Sequence, residues 1–140
     1  MNGFLLDTNV PPELVRPQPD PKVTAWLGSQ DLDLLFLSVV SLGELRKGIT
    51  TMEAGKRKVE LEKWLADDLL KKFYGRILPM TQAIAERWGV LEGQRQLLGR
   101  PIHVPDAQIA ATALEHGLTV VTRNVKDFDL LGVKIFNPWD

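Results

Sequence analysis

The 140-residue chain contains no cysteine, two histidines and a single tyrosine. Without a thiol there is no disulfide, no thiolate nucleophile and no zinc-thiolate site, so any metal has to be held mainly through oxygen. No apolar run reaches membrane-spanning length, and the amino terminus has neither a basic leader nor a cleavable apolar stretch, so the expectation is a soluble cytoplasmic protein. An excess of one charge is also missing. Seventeen Lys and Arg stand against 18 Asp and Glu, which removes any global attraction to nucleic acid and weighs against a general DNA or RNA coat. Repeats, low-complexity tracts and linker-like segments are absent. What is present is 44% hydrophobic and 25% charged residues, enough for one globular domain over residues 1–140 with a sizeable core.

Apolar runs bounded by polar residues predict strands at 3–6, 34–40, 76–80, 118–122 and, as an edge strand, 132–136. Between them lie helical patterns. Pro11-Pro12 predicts a turn or short helix. Asp20 before Pro21 is a cap followed by proline at the first helical position, and Val23, Trp26 and Leu27 then share a face. Ser41-Leu42-Gly43-Glu44 has the form of a capping box. Residues 58–72 carry Leu61, Trp64, Leu65, Leu69 and Phe73 at helical spacing, a stripe expected in the core or at a subunit contact. Thr81 caps a helix running to Leu98, with Ile84, Trp88, Leu91 and Leu98 on one face and Gly99 beyond it. Pro105-Asp106 opens another, lined by Ile109, Ala110, Ala113 and Leu114 and stopped by Gly117. Strands alternating with helices predict a three-layer α/β/α domain whose central sheet is mainly parallel, with right-handed crossovers.

In such sheets ligands sit outside the carboxyl ends of the strands. Asp7 follows the first strand, Glu44 falls in the first turn of the helix after the second, Asp106 begins the helix leading to the fourth, and Asp127 lies in the loop beyond it. Each has a structural reading when taken alone. Asp7 and Asp106 suit helix amino termini, Glu44 suits a capping box or an ion pair with Lys47, and Asp127 suits a turn. Four acids from separate segments at one sheet edge point instead to a shared site, where their repulsion calls for a hard divalent cation. The chemistry that follows is metal-dependent phosphodiester hydrolysis. Asp7 and Asp106 are the expected ligands of Mg2+ or Mn2+. Glu44 and the Asn124/Asp127 loop orient water, place a second ion or help activate the nucleophile, with Asn9 and Thr122 in support. His103 and His116 are assigned no catalytic part, and the basic clusters Arg46-Lys47, Lys56-Arg57-Lys58, Lys71-Lys72 and Arg76 are each read as solvated helix faces rather than a phosphate track, unless several converge beside the acidic site. A phosphatase with an aspartyl nucleophile is the enzymatic rival, and it would want a second acid where Asn9 stands.

Leu5-Leu6-Asp7-Thr8-Asn9-Val10, Ser38 through Glu44-Leu45-Arg46-Lys47-Gly48, Pro105-Asp106 through Ala113, and Thr122-Arg123-Asn124 through Asp127-Phe128 together resemble the PIN-domain ribonucleases. More narrowly, Arg16-Pro17-Gln18-Pro19, Gly75 through Pro79 and Phe136 through Trp139 are similar to the FitB-like members of the VapC toxins. The resemblance implies a Mg2+- or Mn2+-dependent endoribonuclease, the toxin of a type II toxin-antitoxin pair. It also implies a homodimer, inhibited by a small VapB/FitA-like antitoxin that enters the acidic groove and contacts operator DNA on the toxin's behalf. By position Asp7, Glu44 and Asp106 match the family triad, and the fourth acid falls at Asn124 in some relatives and at Asp127 in others. Pro11-Pro12 departs from the pattern, which has Ile-Ser before the residue matching Glu13, and it stiffens the rim of the site. The alternative within the family is an idle PIN-like module that acts with its antitoxin as a co-repressor.

Overall fold

The computed structural model describes residues 3–140. Met1 and Asn2, and with them the expectation about the extreme amino terminus, lie outside the described residues. In chain order the elements are β1 (Phe4–Leu6), a 3-10 turn (Pro11–Val15), α1 (Pro21–Ser29), a second 3-10 turn (Leu32–Leu34), β2 (Leu35–Ser38) and α2 (Val39–Thr50). They continue with α3 (Lys56–Lys63), a π-helical turn (Trp64–Leu69), α4 (Leu70–Lys72), β3 (Ile77–Leu78), α5 (Gln82–Leu97), α6 (Val104–His116), β4 (Thr119–Val121), a 3-10 turn (Val125–Phe128) and β5 (Ile135–Phe136). The strands form one five-stranded sheet in the order β3-β2-β1-β4-β5, parallel at every pairing.

Alternating strand residues feed two cores. Leu6, Leu35, Leu37 and Val121 join Val23 and Leu27 of α1, Leu45 and Ile49 of α2, and Trp64, Leu65, Leu69 and Phe73 on one face of the sheet. Leu5 and Val120 join Ile84 and Leu91 of α5 and Ile109, Ala110 and Ala113 of α6 on the other. This is the expected three-layer α/β/α arrangement. Small residues let α6 sit close: Ala107, Ala110, Ala111 and Ala113 are fully buried, so the helix carries its first turn, with Asp106, tightly against the sheet. Gly3, just before β1, has no room for a side chain. A Cβ there would lie 2.9 Å from Leu118 Cδ2 and 3.1 Å from the Leu34 carbonyl oxygen.

Most predicted caps are present. Asp20 accepts from the Lys22 amide and Thr81 from the Ile84 amide, while Gly99 and Gly117 follow their helices at φ 72° and 65°, where glycine alone is unstrained. The second helix differs from expectation. Ser38, not Ser41, is its cap, accepting from the Val40 amide at 3.0 Å, so α2 begins at Val39 and the strand ends at Ser38. The β-branched pair Val39-Val40 had extended the expected strand, and side-chain capping by Ser38 overrides that preference. Leu98 also departs from its expected apolar face, being 63% exposed at the end of α5.

The basic clusters are largely occupied by the fold. Lys58 Nζ donates to the Thr50 and Met52 carbonyls at the end of α2, Arg57 donates to the Val15 carbonyl, and Arg76 donates to the carbonyls of Leu32, Leu35 and Lys72. Carbonyls left over at helix ends and strand starts are their partners.

Candidate functional site

Asp7 is the first residue after β1, and the parallel ladder still holds its backbone: its amide donates to the Val121 carbonyl at 2.8 Å. Its carboxylate is consequently buried, with 4% of the residue exposed. Two donors reach it, the Thr8 amide to Oδ1 at 2.8 Å and Thr122 Oγ1 to Oδ2 at 2.7 Å. Thr122 is itself wholly buried at the end of β4 and accepts from the Asn124 amide at 2.9 Å, so its only proton is free for Asp7. A carboxylate offers about four acceptor sites, and the described residues fill two. Burial holds the Asp7 pKa above its ordinary value of 3.8, and the Glu44 and Asp127 charges add to the shift against the two lowering hydrogen bonds.

Glu44 does something other than cap. Because α2 starts at Val39, Glu44 is in the second turn, and Thr8 Oγ1 lies 2.6 Å from Glu44 Oε1 and 2.9 Å from Ser41 Oγ. Thr8 has one proton, which goes to the carboxylate, and Ser41 then donates to Thr8. The expected structural roles of Glu44, in a capping box with Ser41 or in an ion pair with Lys47, are not realised among the described residues. Thr8 thereby ties Asp7's loop to Glu44's helix.

Asp106 occupies the third position of α6 after His103, whose side chain makes no cap. It is half-buried, and its pKa is raised to about 6, first by burial, then by the charges of Asp7 and Asp127, with His103 opposing and Glu44 adding. The favourable end of a helix dipole normally lowers an acid. Here burial and like charge win, and Asp7, Glu44 and Asp127 all lie within electrostatic reach of Asp106. Asp127 is exposed on its 3-10 turn. The next residue, Phe128, is buried to 1%, and the roughly 1.5–3 kcal/mol gained by burying such a side chain is enough to anchor so short a turn.

Asn9 and Asn124 are exposed, and neither side chain makes a hydrogen bond among the described residues. Asn124 contributes its backbone to Thr122. Of the two candidates for a fourth acid, Asp127 is the one whose charge acts on Asp7 and Asp106. Thr8, beside Asp7 and able from the sequence to orient a carboxylate, was not among the candidate site residues, and its bond to Glu44 is what the sequence did not show. The signal for Thr8 was position, a hydroxyl immediately after a strand-terminal acid.

No three acidic or histidine side chains among the described residues form a ready-made metal cage. The donor set nonetheless suits a hard divalent ion: oxygen throughout, unfilled acceptor sites on Asp7, and mutual repulsion that a cation relieves. Magnesium characteristically binds through one or two carboxylates plus substrate phosphate and water, without an all-protein cage.

The profile of the PIN domain matches residues 4–133. This chain belongs to the PIN-domain family. Toxin FitB of Neisseria gonorrhoeae is 42% identical to this PIN protein over 136 residues, covering 97% of this chain and 98% of that one. VapC ribonuclease Y4jK of Sinorhizobium fredii is 38% identical over 137 residues, 98% of each chain. Among solved structures, FitAB bound to an IR36 DNA fragment contains a chain that superposes with a TM-score of 0.91 at 39% identity, covering 98% of the PIN chain and 96% of its own length.

The Thr122 hydroxyl gives a first test of the site. Replacing Thr122 by the isosteric Val removes a donor from a buried carboxylate, which pushes the Asp7 pKa further up. Nuclease activity is expected to fall about tenfold or more at neutral pH, with the acidic limb of the pH profile moving to higher pH, for a loss of roughly 1.5–3 kcal/mol in a hydrogen bond to a charged group. Thr122→Ser should restore both. An unmoved profile in the Val variant would make Thr122 a packing residue only.

Proposed function

We propose that this PIN-domain protein is the toxin of a type II toxin-antitoxin system, an endoribonuclease that hydrolyses RNA phosphodiester bonds with Mg2+ or Mn2+. The observation that carries the reading is that Asp7, Glu44, Asp106 and Asp127, from separate segments, come together at the carboxyl edge of the sheet, where burial first and then the neighbouring acids raise Asp106 to about 6. Homology to toxins and a ribonuclease over nearly the full chain supports it.

Asp7 and Asp106 are the residues that would hold the ion. The chemistry an ion supplies there is neutralisation of phosphate charge and acidification of water. The chain's own part is positional. Thr8 and Thr122 hold both oxygens of Asp7, and Thr8 also holds Glu44 Oε1, so two carboxylates from distant segments move as one unit. Glu44, with one oxygen free of that bond, would take a proton from an attacking water, and Asp127 would add its charge to that of Asp7 and Asp106. No protein nucleophile is required. The aspartyl-nucleophile rival fails on position nine, an exposed Asn where a second acid would be needed.

The partners we assign are an RNA substrate, a VapB/FitA-like antitoxin, operator DNA reached indirectly through that antitoxin, and a second copy of the chain. Val90 and Leu97 on α5 and Leu98 just after it, exposed by 55%, 90% and 63%, are apolar surface that a second copy would cover. No helix among the described residues is long and apolar enough to cross a membrane, and the cytoplasm is the compartment proposed. A second reading, a co-repressor without nuclease activity, draws on the DNA-bound FitAB neighbour.

Purified protein should cleave single-stranded RNA in Mg2+ or Mn2+, stop on addition of EDTA, and be silenced by the product of an adjoining small reading frame. Intact RNA under every metal condition would overturn the ribonuclease assignment.

A further inference from the structure

Beside the acidic cleft, a groove of about 510 Å3 runs along α2. Its wall is a single stripe of that helix, Val39, Val40, Gly43, Glu44, Lys47, Gly48 and Thr51, faced by Pro105 and Gln108 from the first turns of α6. At 1.5 Å per residue the stripe is about 18 Å long. Glu44 lies within the stripe, and Pro105, the neighbour of Asp106, faces it.

Two features of this groove lack an explanation within the fold. Gly43 and Gly48 lie inside α2, and a Cβ built on either meets no atom within 4 Å. Neither glycine is required for packing or turning, although each weakens the helix by about 0.8–1 kcal/mol relative to alanine. Bare backbone on an exposed helix face is useful where another molecule comes close. The second feature is Lys47, exposed between them. It has no acidic partner within ion-pair distance among the described residues, and its neighbour one turn back, Glu44, is engaged by Thr8. Lys58, Arg57 and Arg76 are held by backbone carbonyls of the fold. Among the described residues Lys47 is a cation without an acidic partner, in a groove that Glu44 also lines.

We propose that this groove binds the RNA strand next to the scissile bond, with the Lys47 ammonium as a phosphate contact and the glycine-lined floor admitting the sugar-phosphate backbone. The proposal rests on the ribonuclease reading and identifies the substrate path to that same site. Charge favours RNA over a protein occupant. A polyanion approaching four carboxylates needs a cation ahead of the cleft, and the groove lacks the aromatic and arginine anchors that dominate protein interfaces. Gln108, whose side-chain amide makes no hydrogen bond among the described residues, faces the strand as a donor and acceptor suited to a ribose hydroxyl.

The test uses the full-length protein, a short fluorescein-labelled single-stranded RNA of mixed sequence, and three variants. In EDTA, where nothing is cut, anisotropy across a salt series reports binding alone. Lys47→Gln is expected to weaken binding severalfold at low salt and to flatten the slope of log K against log salt by about 0.7, the value for one phosphate contact on a single strand. Lys47→Arg should keep the slope. Gly48→Leu, which raises helix propensity and whose Cβ meets no atom of the fold within 4 Å, should bind RNA at least tenfold more weakly with an undiminished melting temperature. With metal, Lys47→Gln should raise KM and leave kcat unchanged. If wild type cleaves RNA while Lys47→Gln and Gly48→Leu match it in KM and salt slope, the groove assignment is wrong and the ribonuclease reading stands. If those two variants instead lose only the antitoxin encoded by the adjoining frame, the groove takes a protein and the RNA path is overturned. If wild type neither binds nor cleaves RNA, the underlying reading has failed, and this inference with it.

Discussion

Asp7→Asn abolishes RNA cleavage, by at least about 100-fold given what single preorganised electrostatic contacts contribute to a transition state, and leaves the protein folded. The reason both halves are expected lies in the hydrogen bonds. An asparagine oxygen can accept from the Thr8 amide as Asp7 Oδ1 does now, while its NH2 group donates to Thr122 Oγ1, a hydroxyl that serves as acceptor when its proton turns away. The displaced proton of the buried Thr122 hydroxyl loses its acceptor, a cost of about 1–3 kcal/mol that removal of the buried charge offsets. The variant also removes a buried anion repelled by Glu44 and Asp127, so its melting temperature at neutral pH should match or exceed that of the wild type. Activity measured on RNA, melting measured by circular dichroism and growth of cells expressing each form separate the readings. Wild type should arrest growth and the variant should not. If both forms are equally harmless and neither cuts RNA, the co-repressor reading replaces the toxin. If a phosphorylated aspartate can be trapped at Asp7, the phosphatase replaces both.

The second large effect is the exchange of protons for metal. Asp106 carries a pKa of about 6 against an ordinary value of 3.8, and Asp7 is shifted in the same direction. Between those values the folded state keeps protons that the unfolded chain has released, so stability falls as pH rises. For Asp106 it is fully present below about pH 4 and lost as pH climbs through about 6, and Asp7 acts in the same direction. Metal-free protein should therefore melt at a lower temperature at pH 7.5 than at pH 5, other titrations being matched in an Asp7→Asn/Asp106→Asn control. Manganese then reverses the order. At a hundredfold excess over its dissociation constant an ion stabilises by about 2.7 kcal/mol, which for a chain of this size amounts to roughly 8 °C. At pH 5 most Asp106 is protonated, the ion has to displace that proton, and its affinity should drop about tenfold for one pH unit below the pKa. Equal melting shifts at pH 5 and pH 7.5, or none at either, would remove metal binding by these acids.

Several of these residues could be read without coordinates. A strand that is apolar through Leu6 and polar at Asp7, and an Asp20-Pro21 start, are local facts of solvation and backbone geometry. They yielded the strand order of events, the helix caps at Asp20 and Thr81, and the glycine stops, because each depends on residues within a few positions. Convergence of the acids was also legible, through the rule that parallel sheets present ligands at one edge. The capping of α2 was misassigned for a reason of the same kind. Ser38 and Ser41 both precede acceptable helix, and Val39-Val40 suits a strand. Sequence alone does not weigh a side-chain cap against β propensity. Once Ser38 wins, Glu44 moves out of the first turn and becomes available to Thr8.

The chain by itself determined the α/β layering, the oxygen-only donor set and the identity of Asp7, Glu44, Asp106 and Asp127 as candidates, since composition and periodicity act locally along the polymer. Tertiary structure alone decided that Thr8 bridges two segments 36 positions apart, that Thr122 reaches Asp7 across 115 positions, and that Lys47 lies in a groove without an acidic partner among the described residues. Those outcomes depend on burial and on which groups meet after the sheet has closed. Desolvation and charge proximity are properties of that packed arrangement, and they are what raise Asp7 and Asp106 above the ordinary range of a carboxylate.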